Sequence, residues 1–350
     1  MELSHYRTLG RSGLIVSPLS LGTMTFGTQR WGIGEEDARK IFARYLEVGG
    51  NFIDTADIYA GGQSEAMLGK FITESHVRDG IVLATKAGFN RQPGNPTASG
   101  NGAKNIRASL ETSLRRLQTD YIDLFWLHVW DKVTPAEEVL QTMNALVQEG
   151  KIRYYGLSNV PAWYVAKMAT LAAVHGMAAP IGLQLEYSLT ERAIEREHCP
   201  VAAEFGLGIL PWSPLAGGFL TGKYRREDPK ATSEGRLSGS NPLGDSKFSD
   251  RNWPILDSLR SVAEDMGRPM AQVALAWASA QPLIASVVIG VSSIRQLEDN
   301  LASLDIRMDA EQRDALDRAS APEPAYPYPI FSETINRFVF GGVDVQGWRG

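Results

Sequence analysis

The sequence has little of several things that would give it a different reading. It holds one cysteine, Cys199, which excludes a disulfide framework within the chain and any multi-cysteine zinc or iron–sulfur site. Cys199 itself reads as a small inert hydrophobe. Histidine is scarce, and His5, His76, His175 and His198 lack the spacing of metal ligands, so no metal is expected. Neither sign of charge dominates. Lys plus Arg total 35 and Asp plus Glu 40, a formal net charge of −5, which gives no general attraction to nucleic acid or an anionic membrane. No run approaches the roughly 18 apolar residues of a membrane-spanning helix. The opening MELSHYRTLGRSGL has no basic segment followed by an apolar one. The expectation is a soluble, cytoplasmic protein with no nucleic-acid or membrane partner.

Two phosphate-binding signatures are also missing. No G-x-G-x-x-G follows any strand-like run, which disfavours an open doubly wound dinucleotide-binding sheet. The segment GGFLTGKY (217–224) ends in Tyr224 where a nucleotide-triphosphate loop needs a Ser or Thr hydroxyl for magnesium.

What is present is a globular composition, 43% hydrophobic and 21% charged, with a repeated pattern. Apolar β-rich runs end near Thr23, Asp54, Thr85, Leu127, Ser158, Glu186, Pro211 and Ile289. The first seven recur roughly every 25–42 residues, the length of a strand plus a crossover helix. They show no alternation, as parallel strands covered on both faces should not. Between them lie helical stripes, such as Ala38, Ile41, Phe42, Tyr45 and Leu46, or Ile106, Leu110, Leu114 and Leu117, or Val139, Leu140, Met143, Leu146 and Val147. Gly49–Gly50 and Gly150 stop two of these helices. Eight such units predict an α/β fold, the (β/α)8 TIM barrel, as one domain over residues 1–350. Its core covers about residues 5–305, and a C-terminal tail runs over 320–350. Arg7–Leu9 and Leu14–Val16 predict an N-terminal β-hairpin that could plug the barrel bottom. The long gap after strand seven predicts a helix carrying Ile255, Leu256, Leu259, Val262, Ala263 and Met266, and a long loop over 217–250 of the kind that is usually functional or mobile.

Active sites of parallel barrels lie at the C-terminal strand ends. Asp54 ends strand two, with Tyr59 in the loop beyond. Lys86 ends strand three and His128 strand four. Ser158 and Asn159 end strand five, Gln184 and Glu186 lie on strand six, and Trp212 and Ser213 follow strand seven. Taken singly, Asp54 is an ordinary helix cap, Tyr59 a packed loop residue, Lys86 a solvated lysine and His128 a structural histidine. Taken together they form an acid–base set. A free phenol titrates near 10, and a neighbouring ammonium lowers that value. A carboxylate keeps the lysine charged, and a histidine holds a substrate oxygen. Such a set suits proton donation to a carbonyl oxygen gaining negative charge.

At these residues the sequence resembles the aldo-keto reductase superfamily. The resemblance rests on LGTMTFG (21–27), NFIDTADIYAGGQSEAMLGK (51–70), ATKAG (84–88), YIDLFWLH (121–128), GKIRYYGLSN (150–159), LQLEYSL (183–189), PWSPLAGGFLTGKY (211–224) and VIGVSSIRQLEDN (288–300). It is nearest in flavour to the branch holding microbial reductases and potassium-channel β-subunits. The resemblance implies a barrel that binds an extended nicotinamide cofactor and reduces an aldehyde or ketone. It implies Tyr59 as general acid, Asp54 and Lys86 as its electrostatic partners, and His128 as the group orienting the carbonyl. Channel subunits usually carry asparagine at the position of His128, so the histidine favours an active reductase over a slow, regulatory nicotinamide-binding subunit.

For the cofactor the resemblance implies Thr23, Met24, Gln29 and Asp54 near the nicotinamide. Ser158, Asn159 and Gln184 fall on its carboxamide, and Trp212 stacked on its ring. Ser213, Pro214, Leu215 and Gly217 fall near the pyrophosphate, with Lys223 and Arg236 reaching it. Gly290, Ser292, Gln296, Asp299 and Asn300 surround the adenosine end. Asp299 stands where the family usually has glutamate. The family's usual cation just after strand eight is replaced by Val291, Ser292 and Ser293, with Arg295 slightly beyond. NADPH/NADP+ is the expected cofactor, with NADH as the alternative. Trp31 and Trp130 are candidate walls of an apolar substrate pocket. The partner is a small-molecule carbonyl, and a homo-oligomer is left open.

Overall fold

The computed structural model describes residues 3–227, 236–237, 245–343 and 345. Part of the long loop expected over 217–250 therefore lies outside the described residues. The chain divides into two compact units, Met1–Ser320 and Ala321–Gly350.

The first unit opens with an antiparallel hairpin of β1 (Arg7–Thr8) and β2 (Ile15–Val16). Eight strands follow: β3 (Leu19–Gly22), β4 (Phe52–Asp54), β5 (Val82–Ala87), β6 (Ile122–Leu127), β7 (Ile152–Ser158), β8 (Gly182–Glu186), β9 (Gly208–Trp212) and β10 (Val287–Gly290). They form one parallel sheet in the order β10-β3-β4-β5-β6-β7-β8-β9. The remaining seam is bridged where Ile209 N–H donates to the Leu283 carbonyl at 2.8 Å and Ala285 N–H to the Ile209 carbonyl at 3.0 Å. The result is the (β/α)8 TIM barrel read from the repeat. α1 (Glu35–Glu47), α2 (Gln63–Ser75), α3 (Ala103–Leu117), α4 (Ala136–Gln148), α5 (Ala162–His175) and α6 (Ile194–Phe205) alternate with the strands. Between β9 and β10 stand two helices, α7 (Asn252–Asp265) and α8 (Met270–Ser279). The stripe at Ile255–Met266 marks the first. The second is buried along almost its whole length, so it has no polar face for periodicity to detect. α9 (Ile294–Leu301) and α10 (Ala310–Ser320) complete the unit. Among the described residues no helix is long and apolar enough to cross a membrane.

Two cores result from the alternation of side chains along each strand. Leu21, Ile53, Leu83, Phe125, Leu183 and Ile209 point outward into the large cluster under the helices. Phe52, Val82, Ala84, Leu124, Trp126 and Leu210 point inward and form a second cluster with Leu9 and Leu14 of the hairpin. The hairpin thus closes the barrel bottom. Its turn comes so close to β9 that a Cβ on Gly10 would overlap the Gly206 carbonyl, and Gly10 itself sits at φ +59°, which glycine adopts without steric cost.

The second unit carries a 3-10 turn at Tyr328–Ile330 and α11 (Glu333–Val339), capped by the Ser332 hydroxyl. Its Tyr326, Phe331 and Phe338 are exposed.

Candidate active site

Two residues further along a strand the side chain points the same way, one layer nearer the C-terminal mouth. From the inward Phe52, Ala84, Trp126 and Leu210 that step reaches Asp54, Lys86, His128 and Trp212. The interior changes from apolar to polar within one layer, and strand register brings the polar groups together.

Lys86 is the centre of the set and is wholly buried. Its ammonium donates to Asp54 Oδ2 at 2.5 Å, to the Thr55 carbonyl at 2.7 Å and to Tyr59 Oη at 3.3 Å. All three N–H donors are therefore used. Asp54 is buried too, and its other oxygen accepts from Gln184 Nε2 at 2.9 Å. Burial works against the charge on Lys86, but the Asp54 carboxylate and Tyr59 outweigh it and raise its pKa. A buried charge survives when paired and hydrogen-bonded in this way.

Tyr59 begins a 3-10 turn after β4. Its phenol is held above its ordinary pKa: burial pushes it up, Lys86 pulls it down, and Asp54 pushes it up again. The sequence suggested an acidified phenol, but here desolvation exceeds the pull of the ammonium. Tyr59 is consequently protonated at neutral pH. His128 lies edge-on to Tyr59 with ring centroids 6.0 Å apart, and edge-on to Phe89 at 4.7 Å. Burial, reinforced by Lys86, lowers the imidazole pKa well below its usual value, so the ring is neutral. Among the described residues its buried Nδ1 has no hydrogen-bond partner, and no bond from them fixes the tautomer.

The neighbouring strand ends interlock with this set. Asn159, at φ +51°, donates from Nδ2 to the His128 carbonyl at 2.9 Å and to Ser158 Oγ at 3.0 Å, while its Oδ1 accepts from Trp212 Nε1 at 3.2 Å. Ser158 Oγ donates to the Gln184 carbonyl at 2.7 Å. On the other side, Thr23 Oγ1 donates to the Asp54 carbonyl at 3.2 Å and accepts from Ser64 Oγ at 2.8 Å.

The remaining predicted positions lie further out. Met24 Sδ receives Arg236 Nη2 at 3.6 Å, and the Arg236 guanidinium stands over the Trp31 ring at 5.1 Å. Gln29 is exposed in the same loop. After β9, Pro214 is buried and the Leu215 carbonyl accepts from Gly218 and Leu220. Ser213, Ala216, Gly217 and Gly218 all have left-handed φ, and Lys223 Nζ lies 3.5 Å from where a Cβ on Gly218 would stand. Trp130 packs edge-on against Trp163 at 5.3 Å. At the end of β10, Gly290 has open space on its Cβ side. Ser292 and Gln296 engage each other at the start of α9, where Ser293 caps the helix. Asn300 is buried, and Asp299 is 3.8 Å from Arg295 Nε.

Sequence reasoning did not single out the Thr55 carbonyl, Ser64, or the Lys247 ammonium on Glu186 at 2.6 Å. None has a spacing signal, because the partners stand 31, 41 and 61 residues apart in the chain. Among the described residues no group of three or more His, Cys, Asp or Glu could hold a metal ion.

The model of the "Aldo/keto reductase family" matches residues 18–321. The chain is 34% identical to a probable voltage-gated potassium channel subunit beta of Oryza sativa subsp. japonica, covering 86% of this chain and 91% of that protein. It is 33% identical to norsolorinic acid reductase A of Aspergillus parasiticus, covering 95% and 85%. It is 30% identical to a putative aryl-alcohol dehydrogenase of Saccharomyces cerevisiae, covering 95% and 91%. With a matching model over most of its length and relatives at this identity and coverage, the chain belongs to the aldo/keto reductase family of oxidoreductases.

Proposed function

We propose that the protein is an NADPH-dependent reductase of aldehydes or ketones, working reversibly, with Tyr59 as proton donor. The single observation that carries the reading is the Lys86 ammonium bonded at once to the Asp54 carboxylate and the Tyr59 hydroxyl. A nicotinamide coenzyme bound in this mouth supplies the hydride. The residues present suit such a group. Trp212 offers a flat surface tied to Asn159, Lys223 and Arg236 offer cations for a pyrophosphate, and Gly290 leaves space beside β10.

The residues then divide the work. Tyr59, kept protonated by burial, donates its proton as negative charge builds on the carbonyl oxygen. Lys86 stabilises the phenolate left behind, which is where a fixed charge in a dry site has most effect. Asp54 keeps Lys86 charged and aimed. Neutral His128 hydrogen-bonds the carbonyl oxygen beside the phenol. Phe89, Trp31 and Trp130 supply apolar walls, and the name of the yeast aryl-alcohol relative is consistent with an aromatic carbonyl. NADPH is the first choice from the habit of the family, and NADH is the alternative because Val291, Ser292 and Ser293 replace the family's usual 2′-phosphate cation, with Arg295 slightly beyond. The reading assigns the work to a single barrel domain, on a small molecule, in the cytoplasm.

The test is to titrate NADPH and NADH separately by fluorescence, then screen carbonyls with the tighter coenzyme. Tyr59→Phe should leave coenzyme affinity nearly unchanged and lower turnover by about 10²–10⁴-fold, the usual contribution of a positioned proton donor. Turnover equal to wild type on every carbonyl reduced would remove Tyr59 from the role.

A further inference from the structure

The segment that presents Tyr59 is held from outside the barrel. Ala60, Gly61 and Gly62, the three residues after Tyr59, all have left-handed φ, at 50°, 66° and 97°. Consecutive left-handed residues, one of them an alanine, persist only where the surroundings impose them. Arg116 on α3 braces this segment. Its Nη1 donates to the Asp57 carbonyl at 2.9 Å, two residues before Tyr59, and to Glu65 Oε2 at 3.1 Å in the first turn of α2. One guanidinium nitrogen thus ties together both ends of the turn.

Two glycines admit this arginine. A Cβ on Gly62 would overlap the Arg116 guanidinium, and one on Gly69 would overlap the Arg116 carbonyl. The side chain and the backbone of the same residue therefore set how α2 meets α3. The wholly buried Glu65 also accepts from Thr85 Oγ1 at 2.7 Å. Thr85 points outward from β5 immediately before Lys86, and Asp57 N–H donates to the Lys86 carbonyl at 3.1 Å. A continuous path, Arg116 to Glu65 to Thr85, joins the turn that carries the phenol to the strand that carries the ammonium.

We propose that Arg116 is a positioning residue for the reaction, holding Tyr59 at its 3.3 Å distance from Lys86 without touching substrate or coenzyme. This rests on the reading of Tyr59 as proton donor. A purely structural role in packing α2 against α3 would lower stability and leave the folded enzyme's turnover alone. A positioning role acts on the proton-transfer step and disappears once the phenol is gone.

The experiment is a double-mutant cycle on a carbonyl that wild type reduces with NADPH, using Tyr59→Phe, Arg116→Ala and both together. Arg116→Ala should lower kcat by roughly 10–10²-fold, the size expected of an ångström-scale misplacement. NADPH affinity and substrate KM should stay within about twofold, the pattern of an interaction felt in the transition state. In the Tyr59→Phe background the same substitution should have almost no further effect. Arg116→Lys should recover part of the loss. Glu65→Gln, which removes the carboxylate that the guanidinium grips in the first turn of α2, should reproduce part of it. If Arg116→Ala fails to fold, these two variants run the same cycle. Wild-type kcat in the folded variants, or an equal loss with and without the phenol, overturns the inference while leaving Tyr59 as donor. Unchanged turnover in Tyr59→Phe alone overturns both.

Discussion

The floor of the barrel mouth and its rim are built by different rules. The floor, Asp54, Lys86 and Gln184, sits on strands, is 2%, 0% and 3% exposed, and is joined by bonds within one connected set. The rim, from Gln29 through Lys223 to Arg295, sits on turns and on the short helix α9, and these three side chains are exposed. Burial makes each floor charge depend on its partner, since an unpaired ion there has no water to turn to. Exposure leaves rim charges nearly independent and individually weak. On the proposed reading, proton transfer depends on the buried, mutually paired floor, and the choice of coenzyme on the exposed rim.

The sharpest way to break this contrast is at Lys86. Lys86→Met strands the buried Asp54 carboxylate, so stability should fall by about 3–5 kcal/mol together with the collapse of turnover. Adding Asp54→Asn removes the stranded charge while keeping an acceptor for Gln184. Thermal unfolding should then recover while turnover does not. If Lys86→Met unfolds at the wild-type temperature, the floor is not held by its ion pair, and the contrast with the rim fails.

The contrast also explains what was legible in the sequence. The eight strands could be read because a doubly covered strand is an uninterrupted apolar run, and Asp54, Lys86 and His128 could be read because they end such runs. α8 could not, because a helix buried on all sides has no stripe. The acid–base assignment of Tyr59 came from residue types, but the direction of its pKa did not. That depends on how much water the fold removes, and no spacing encodes it. The partnership of Arg116 with Asp57, Glu65 and two glycines was equally hidden, because its members lie on α2, α3 and a loop and meet only after packing. Ser292 and Gln296, which family position places at the adenosine end, also bond each other at the start of α9, a pairing that their four-residue spacing allows.

Behind the floor, Asp57 offers a subtler test. Its carboxyl is pushed up to about 7, first by burial and then by Glu65, against the pull of Arg91 and Arg116. The unfolded value is near 3.9, so between about pH 4 and pH 7 the folded protein binds the proton more tightly than the unfolded chain. The resulting stability is full below that window and is lost as pH rises through it, at up to about 1.4 kcal/mol per pH unit. Asp57→Asn should therefore gain stability relative to wild type as pH rises from 5 to about 8, measured by thermal unfolding at each pH. A pH-independent difference would make Asp57 an ordinary paired carboxylate and confine the dry, coupled behaviour to the barrel interior.

The smallest effect belongs to the rim. The Arg295 side chain is 91% exposed and only loosely paired with Asp299. A single exposed ionic contact contributes about 0.2–1 kcal/mol. If Arg295 meets the 2′-phosphate, Arg295→Ala should weaken NADPH by no more than about fivefold and leave NADH where it was. Raising salt should narrow the gap between the two coenzymes in wild type and not in the variant, because exposed charges are screened within a Debye length. An equal loss for both coenzymes would move Arg295 to the shared pyrophosphate. A loss far beyond that range would mean that binding buries the guanidinium, and the rim would then obey the same rule as the floor.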